Sequence, residues 1–386
     1  MIASVVFWAG LLVVGYTLAG YDLALRGFAR LRPRPVRKRP IRPVVSVVVV
    51  AHNEGGRIGA RIENLLALDY PPDRLDVVIA SDGSTDDTVE RARAFGGRVQ
   101  VVAFARRRGK TAVLNEVVPR VRGTVVVLAD ARQQFDRRAI AALVESFADP
   151  VVGAVSGELM LTAPDADDTA AGGSQAAYWD REKRIRHLES LSDSMVGATG
   201  AIYALRRDLF EPIPAEAILD DVLIPMRIVR QGYRVVFEPD ARAFDRRSAS
   251  ARQEFVRKVR TIAGNFQMFA REPWLLNPRR NRLWMQTVSH KALRLLLPVL
   301  FLAALAANCW LLDHWFYRIT LAGQLLMLAL AAATSLMPAL KRRLPAAVLP
   351  YTVCFLCVAT IVGFVRYLSG RQSVTWDRSA PALETR

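Results

Sequence analysis

VVSVVVVAHNE at residues 44–54 and LDVVIASDGS at 75–84 decide how this chain reads. In each, a run of valine, isoleucine or alanine ends abruptly in polar residues. A strand apolar on both faces must be covered on both faces, which is the condition of a parallel sheet between two layers of helix. The intervening segments fit. RIGARIENLLAL (57–68) places Ile58, Ile62, Leu65 and Leu66 on one helical stripe, and further helices are expected at about 85–95 and at 110–121. Strands follow at RVQVVAFA (98–105) and TVVVLAD (124–130). The second half is less regular, with strands over 152–161, 200–210 and 233–244 and helices at about 174–192 and 220–231. The alternation predicts an α/β fold whose ligand sits at the carboxyl ends of the strands.

Outward from that middle the composition changes. The chain has 386 residues, 52% hydrophobic and 23% charged, with the charge concentrated between 26 and 282. Residues 2–21 carry no charge and are just long enough to cross a bilayer. Positive residues follow this stretch rather than precede it, which predicts an uncleaved anchor with its N-terminus outside and the next domain in the cytoplasm. Apolar runs at about 291–312, 319–340 and 347–368 read as three membrane helices. The expected organisation is an anchor (1–25), a basic Pro-rich linker (26–43), a catalytic domain (44–250), an amphipathic segment (251–290), about three spans (291–370) and a polar tail (371–386). Three C-terminal spans after an N-out anchor would put Arg371 and Arg378 outside, against the positive-inside tendency, so one run is expected to lie in the interface or to re-enter.

The net charge of +17 suits nucleic acid or anionic lipid. Much of it flanks the apolar runs, in Arg26, Arg30, Arg32, Arg34, Arg37 and Lys38 and again in Lys341, Arg342 and Arg343, and no nucleic-acid module accompanies it. Lipid headgroups are the expected partner. Cys309, Cys354 and Cys357 fall in apolar runs without zinc-ligand spacing. A transporter is excluded because the C-terminal runs contain no buried charge pair or repeat.

Four strand ends bring polar residues to one sheet edge: His52-Asn53-Glu54, Ser81-Asp82-Gly83-Ser84, Arg106 to Lys110, and Asp130-Ala131-Arg132. A carboxylate ending a buried strand is costly without a partner. Asp82 or Ser84 is equally placed to cap a helix starting near Thr85. Gly109-Lys110-Thr111 lacks the first glycine of a P-loop, and Gly55, Gly56 and Gly59 lack dinucleotide-fold spacing.

In this order and spacing, VSVVVVAHNE, VVIASDGSTDDT, RRRGK, VVVLADARQQFD, GATGAIYALRRDLF and ILDDVLIPMRIVRQGYRVVFEP resemble the family 2 inverting glycosyltransferases of the GT-A fold, over about residues 44–262. The resemblance is to membrane-anchored bacterial polysaccharide and glycolipid synthases. It implies a mostly parallel sheet domain plus transmembrane helices. The implied activity is transfer of a sugar from a UDP-sugar, with inversion, to a lipid-linked or saccharide acceptor. It implies that Asn53, Glu54 and the backbone of Ala51 hold the uridine or ribose, that Asp82 meets the base edge with Ser84 close by, and that Lys110 approaches the base or diphosphate. Asp130 matches the first acid of the family's Asp-x-Asp motif, which binds Mg²⁺ or Mn²⁺. Asp221 matches the base that takes the acceptor proton, with Asp220 in a capping and dipole role.

Two positions depart from the family. Arg132 stands where the motif's second Asp is expected, leaving Asp130 as the sole carboxylate and Arg132 free to pair with the diphosphate. Arg257-Lys258-Val259-Arg260-Thr261 stands where processive members carry Gln-x-x-Arg-Trp, so Arg260 fits the diphosphate-binding arginine while Arg257 and Thr261 replace Gln and Trp. The same run also reads as a basic amphipathic helix on a lipid surface. The competing expectation is a non-catalytic, nucleotide-binding membrane scaffold of a polysaccharide assembly system.

Overall fold

The computed structural model describes residues 1–162, 169–246, 251–337, 340 and 344–372; Lys341, Arg342, Arg343 and Arg378 lie outside them. In chain order the elements that position the site begin with α1 (Ile2–Leu31), β1 (Val45–Ala51), α2 (Gly55–Leu66), β2 (Leu75–Asp82), α3 (Thr88–Arg93), β3 (Gln100–Phe104), α4 (Lys110–Val117), β4 (Val125–Asp130) and β5 (Gln134–Phe135). They continue with α5 (Ala139–Glu145), β6 (Val152–Thr162), α6 (Thr169–Ser192), β7 (Ile202–Arg206), α7 (Asp220–Arg230), β8 (Arg234–Arg246) and α8 (Ala251–Arg271). Last come α9 (Trp284–Cys309), α10 (Trp315–Leu336) and α11 (Val348–Leu368).

The eight strands form one sheet in the order β3-β2-β1-β4-β7-β6-β8-β5. β1 lies between β2 and β4 and parallel to both, and β3 extends the parallel half beyond β2. β7 runs antiparallel to β4 and β6, so the sheet is mixed where the sequence pattern weakens. Successive side chains of a strand point to opposite faces. Val47 and Val49 therefore pack with Ile58, Ile62 and Leu65 of α2, while Val48 packs with Val113, Leu114 and Val117 of α4. All of these are buried, each stabilising by about 1.5–3 kcal/mol. Leu66, expected on the stripe, sits at its margin and is only partly buried.

Among the described residues four helices, α1, α9, α10 and α11, are long and apolar enough to cross a membrane. α1 runs to Leu31 and so takes in Arg26 and Arg30, with Arg26 closing an ion pair to Asp22 one turn earlier at 2.8 Å. The first C-terminal span begins at Trp284, so His290, Lys291 and Arg294 belong to α9. The preceding basic segment contains α8, whose Val259 and Ile262 meet Gly363 of α11; a Cβ there would lie 2.8 Å from the Ile262 side chain.

The soluble sheet is tied to these helices by buried polar contacts. Tyr21 of α1 donates to Glu189 of α6 at 2.6 Å, and His290 of α9 stands 2.8 Å from Glu189 and 3.0 Å from Glu182. Arg294 pairs with Glu182 at 2.7 Å. Burial opposes ionisation of both glutamates, yet the neighbouring Arg294 and His290 hold the Glu182 carboxyl well below its usual range, and His290 with Tyr21 does the same more modestly for Glu189. The expectation of spans without buried charge pairs fails here. The partners of His290 and Arg294 lie on a soluble helix about a hundred positions away in sequence, out of reach of any scan confined to the apolar runs.

Candidate active site

The first two strand ends interlock. Asn53 is the one non-glycine residue with positive φ (55°) among the described residues, a conformation that Asn tolerates through local hydrogen bonds. Its Oδ1 accepts from the Thr85 N–H at 2.8 Å, its own N–H donates to Ser84 Oγ at 3.1 Å, and Ser81 and Ser84 share a 2.9 Å hydroxyl contact. The Glu54 N–H donates to Thr88 Oγ1 at 2.8 Å, and the Glu54 carboxylate pairs with Arg57 at 3.5 Å. Ala51 is the buried last residue of β1, paired in register with Ser81. Neither Asp82 nor Ser84 caps α3; Asp86 accepts from the N–H of Thr88, its first residue, at 3.1 Å.

Asp82 is buried and turned to the third strand end. Its two oxygens accept the N–H groups of Arg108 (2.6 Å) and Gly109 (2.8 Å), so its charge fixes the Arg106 to Lys110 loop. That loop comes so close that a Cβ on Gly83 (φ +62°) would lie 2.4 Å from the Arg107 nitrogen. In Asp82→Asn one of the two backbone donors loses its acceptor and the charge is gone. Hydrogen bonds to a charged group contribute about 1.5–3 kcal/mol each, so a loss of that order in unfolding free energy is expected in a denaturant titration of the detergent-solubilised chain.

The loop delivers Lys110 into a carboxylate cluster. Its ammonium lies 3.0 Å from Asp130 Oδ1 and 3.2 Å from Asp220 Oδ2. Burial alone would favour the neutral amine, but Asp130 and Asp220 outweigh it and hold Lys110 protonated above the ordinary lysine value. Asp221 follows at the start of α7. Its carboxyl is pushed up to about 6, first by burial and then by Asp220, against the pull of Lys110 and Lys291. The 197–201 loop makes room for it: the Ala198 N–H donates to the Asp221 carbonyl at 2.7 Å, and a Cβ on Gly200 would stand 3.1 Å from Asp221 Oδ2. A half-buried carboxyl raised to about 6, in a cleft, has the properties of a general base.

Arg132 is held by Asp245 of β8 at 2.6 Å, and Gln133 donates to the same carboxylate at 3.1 Å. Lys110, Asp130, Arg132, Asp221, Arg257 and Arg260 all line one cavity of about 1220 Å³. The cavity continues past α9 to Val348, Thr352, Leu356 and Thr360 of α11. Ala51, Asn53, Glu54, Asp82 and Ser84 occupy the neighbouring strand ends and do not line it. Sequence reasoning missed four residues around this site. Asp220 was read as a helix-dipole residue but also pairs with Lys110, Asp245 anchors Arg132, and Arg186 and Lys291 line the cavity wall. A lysine in the first turns of an otherwise apolar run was the one available signal.

Among the described residues no three His, Cys, Asp or Glu side chains are grouped to hold a metal ion. Asp130 nevertheless fits a cation that brings other ligands with it. Lys110 takes Oδ1, while Oδ2 has no partner among the described residues. One hard oxygen is enough for an Mg²⁺ or Mn²⁺ ion that keeps waters and shares substrate phosphates.

Residues 46–213 match the model of Glycosyl transferase family 2. The beta-monoglucosyldiacylglycerol synthase of Synechocystis is 35% identical over 118 residues, 29% of this chain and 25% of that protein. The probable glycosyltransferase YdaM of Bacillus subtilis is 23% identical over 269 residues, 67% of this chain and 64% of that protein. The chain thus spans between a quarter and two thirds of these relatives' own lengths. Among solved structures, the mannosyltransferase PcManGT of Pyrobaculum calidifontis, in complex with GDP-Man and Mn²⁺, superposes with a TM-score of 0.73 at 22% identity, covering 96% of this chain and all (100%) of that one. Sheet order and these matches agree: residues 46–213 are similar to the glycosyl transferase family 2 domain, on a GT-A-like α/β fold joined, among the described residues, to four helices long and apolar enough to span a membrane.

Proposed function

We propose that this chain transfers a sugar from a UDP-sugar, with inversion, to a lipid-linked or saccharide acceptor at the cytoplasmic face of the membrane. The observation that carries the reading is the position of Asp221. It is a carboxyl with its pKa near 6, in a cavity shared with Lys110 and Asp130 that runs on into the spanning helices. Ala51, Asn53, Glu54 and Ser84 hold the nucleoside, together with Asp82 and the loop it fixes. Lys110, Arg132, Arg257 and Arg260 supply positive charge for the diphosphate. Asp130 would hold the Mg²⁺ or Mn²⁺ ion, which when bound would supply positive charge to the leaving diphosphate. Asp221 accepts the acceptor's hydroxyl proton as the new bond forms at the anomeric carbon, and the nucleoside diphosphate departs from the opposite face. One carboxylate base and no enzyme nucleophile give inversion. Basic residues beside the spans support the cytoplasmic placement.

The test is UDP release by the purified full-length chain in nanodiscs with Mn²⁺ and a panel of UDP-sugars. Because a base works deprotonated, kcat/KM should fall about tenfold per pH unit below about 6 and level off above it. A profile flat from pH 5 to 8 would remove Asp221 from the role. UDP binding without transfer or donor hydrolysis would support the scaffold instead.

A further inference from the structure

The cavity is built for more than a donor. Its floor is the carboxylate cluster and its far end is apolar, formed by Leu295, Val353 and Leu356 of the spanning helices. The same cavity is lined by cations beyond those assigned to the diphosphate. Lys110 and Arg132 are already matched by Asp130, Asp220 and Asp245. Lys291 is different: among the described residues its ammonium has no hydrogen-bond or ion-pair partner, although it lines this cavity from within α9. Arg186 lines the same wall and donates to the Thr199 hydroxyl at 2.5 Å; among the described residues it closes no direct ion pair, and Glu182 is the carboxylate that feels its charge. An ionised side chain inside a span is expensive and, where it persists, marks the path of a substrate or ion. The helix beneath Lys291 is also held firmly, because His290 is braced by Glu182 and Glu189. A fixed cation with no direct ion pair, which Asp221 and Glu182 reach only through space, standing beside an arginine with apolar walls on the membrane side, is complementary to an anion carrying a hydrocarbon chain.

Resting on the transfer reading above, we propose that the acceptor is a phosphate-bearing lipid, its phosphate held by Lys291 and Arg186 and its chain laid along the Val348–Thr360 face of α11. This orients the lipid head toward Asp221, with the chain entering from the bilayer rather than from water.

Native mass spectrometry of the full-length chain tests this after reconstitution in phosphatidylcholine nanodiscs doped with one of three lipids of identical chains. These are dioleoylphosphatidic acid, dioleoylphosphatidylglycerol and dioleoylglycerol. Retention of either phosphate lipid at least tenfold above dioleoylglycerol is the expected result, and whichever is retained more identifies a monoester or a diester head. Lys291→Met and Arg186→Gln should each reduce that retention about tenfold, and Lys291→Arg should restore it, while UDP affinity by calorimetry stays within twofold. Equal retention of dioleoylglycerol, or displacement by millimolar inorganic phosphate, overturns the proposal and leaves sugar transfer standing. Absence of UDP binding and of donor turnover in the wild type removes the transfer reading instead, and the lipid comparison needs neither.

Discussion

Asp221→Asn is expected to lower kcat by about 10²–10⁴-fold, the usual contribution of a positioned general base. The substitution keeps the shape and removes only the proton acceptor. UDP affinity should be nearly unchanged, because Asp221 faces the cavity while Asn53, Ser84 and Asp82 form a separate network at the neighbouring strand ends. Stability should be equal or higher. Burial and the adjacent Asp220 both disfavour the Asp221 charge, so deleting it relieves desolvation and repulsion that the folded state otherwise bears. This opposition of effects, with activity falling as stability holds or rises, separates a base from a structural carboxylate. UDP release under saturating donor, calorimetry with UDP and a thermal unfolding scan together decide it. An Asn variant within threefold of wild-type turnover would show that the proton goes elsewhere.

How much of this could be read from residues alone follows from the range of each interaction. The parallel half of the sheet was legible because Val45 to Ala51 and Leu75 to Asp82 are apolar on both faces, a signal contained within each strand. The apolar ends were legible for the same reason, although the helix boundaries were not. α1 continues through Arg26 and Arg30 because Asp22 and the helical spacing accommodate them, and periodicity does not mark that point. The antiparallel β7 was harder to place. It inserts between β4 and β6 through pairings with strands tens of residues away, which no local pattern encodes. At the site, the strand-end positions of Asn53, Asp82, Lys110 and Asp130 were visible as polar interruptions. Their partners were not. That Asp82 binds the backbone of the Arg106 to Lys110 loop, that Arg132 meets Asp245 and that Lys110 bridges to Asp220 are consequences of long-range packing. The close approach of Gly200 to the Asp221 carboxylate is likewise a product of long-range packing.

Lys110→Met should carry the largest stability cost of any single change at this site, and it should also move the pH profile. Lys110 is the cation that Asp130 and Asp220 share, with only 11% of its side chain exposed and 9% of that of Asp220. Removing one partner of a buried ion pair costs about 3–5 kcal/mol, because the remaining carboxylates lose their compensation. Asp130 retains 28% exposure and some access to water, which places the expected loss near the lower end of that range. In the wild type this contribution does not vary across neutral pH: Lys110 titrates above the ordinary lysine value, so its stabilisation is complete below that point and is lost only in alkaline solution. The kinetic consequence has a definite sign. Lys110 pulls the Asp221 value down toward 6, so its removal lets burial and Asp220 push the base higher, and the acid limb of kcat/KM moves to higher pH. A lysine that only filled space would lower stability without moving that limb. Lys110→Arg, which keeps the charge in a bulkier head, should restore the limb to near 6 while recovering only part of the stability. An unfolding transition within 2 °C of wild type together with an unmoved acid limb would mean that Asp130 and Asp220 are neutralised by other groups, and the electrostatic account of the base would have to be rebuilt without Lys110.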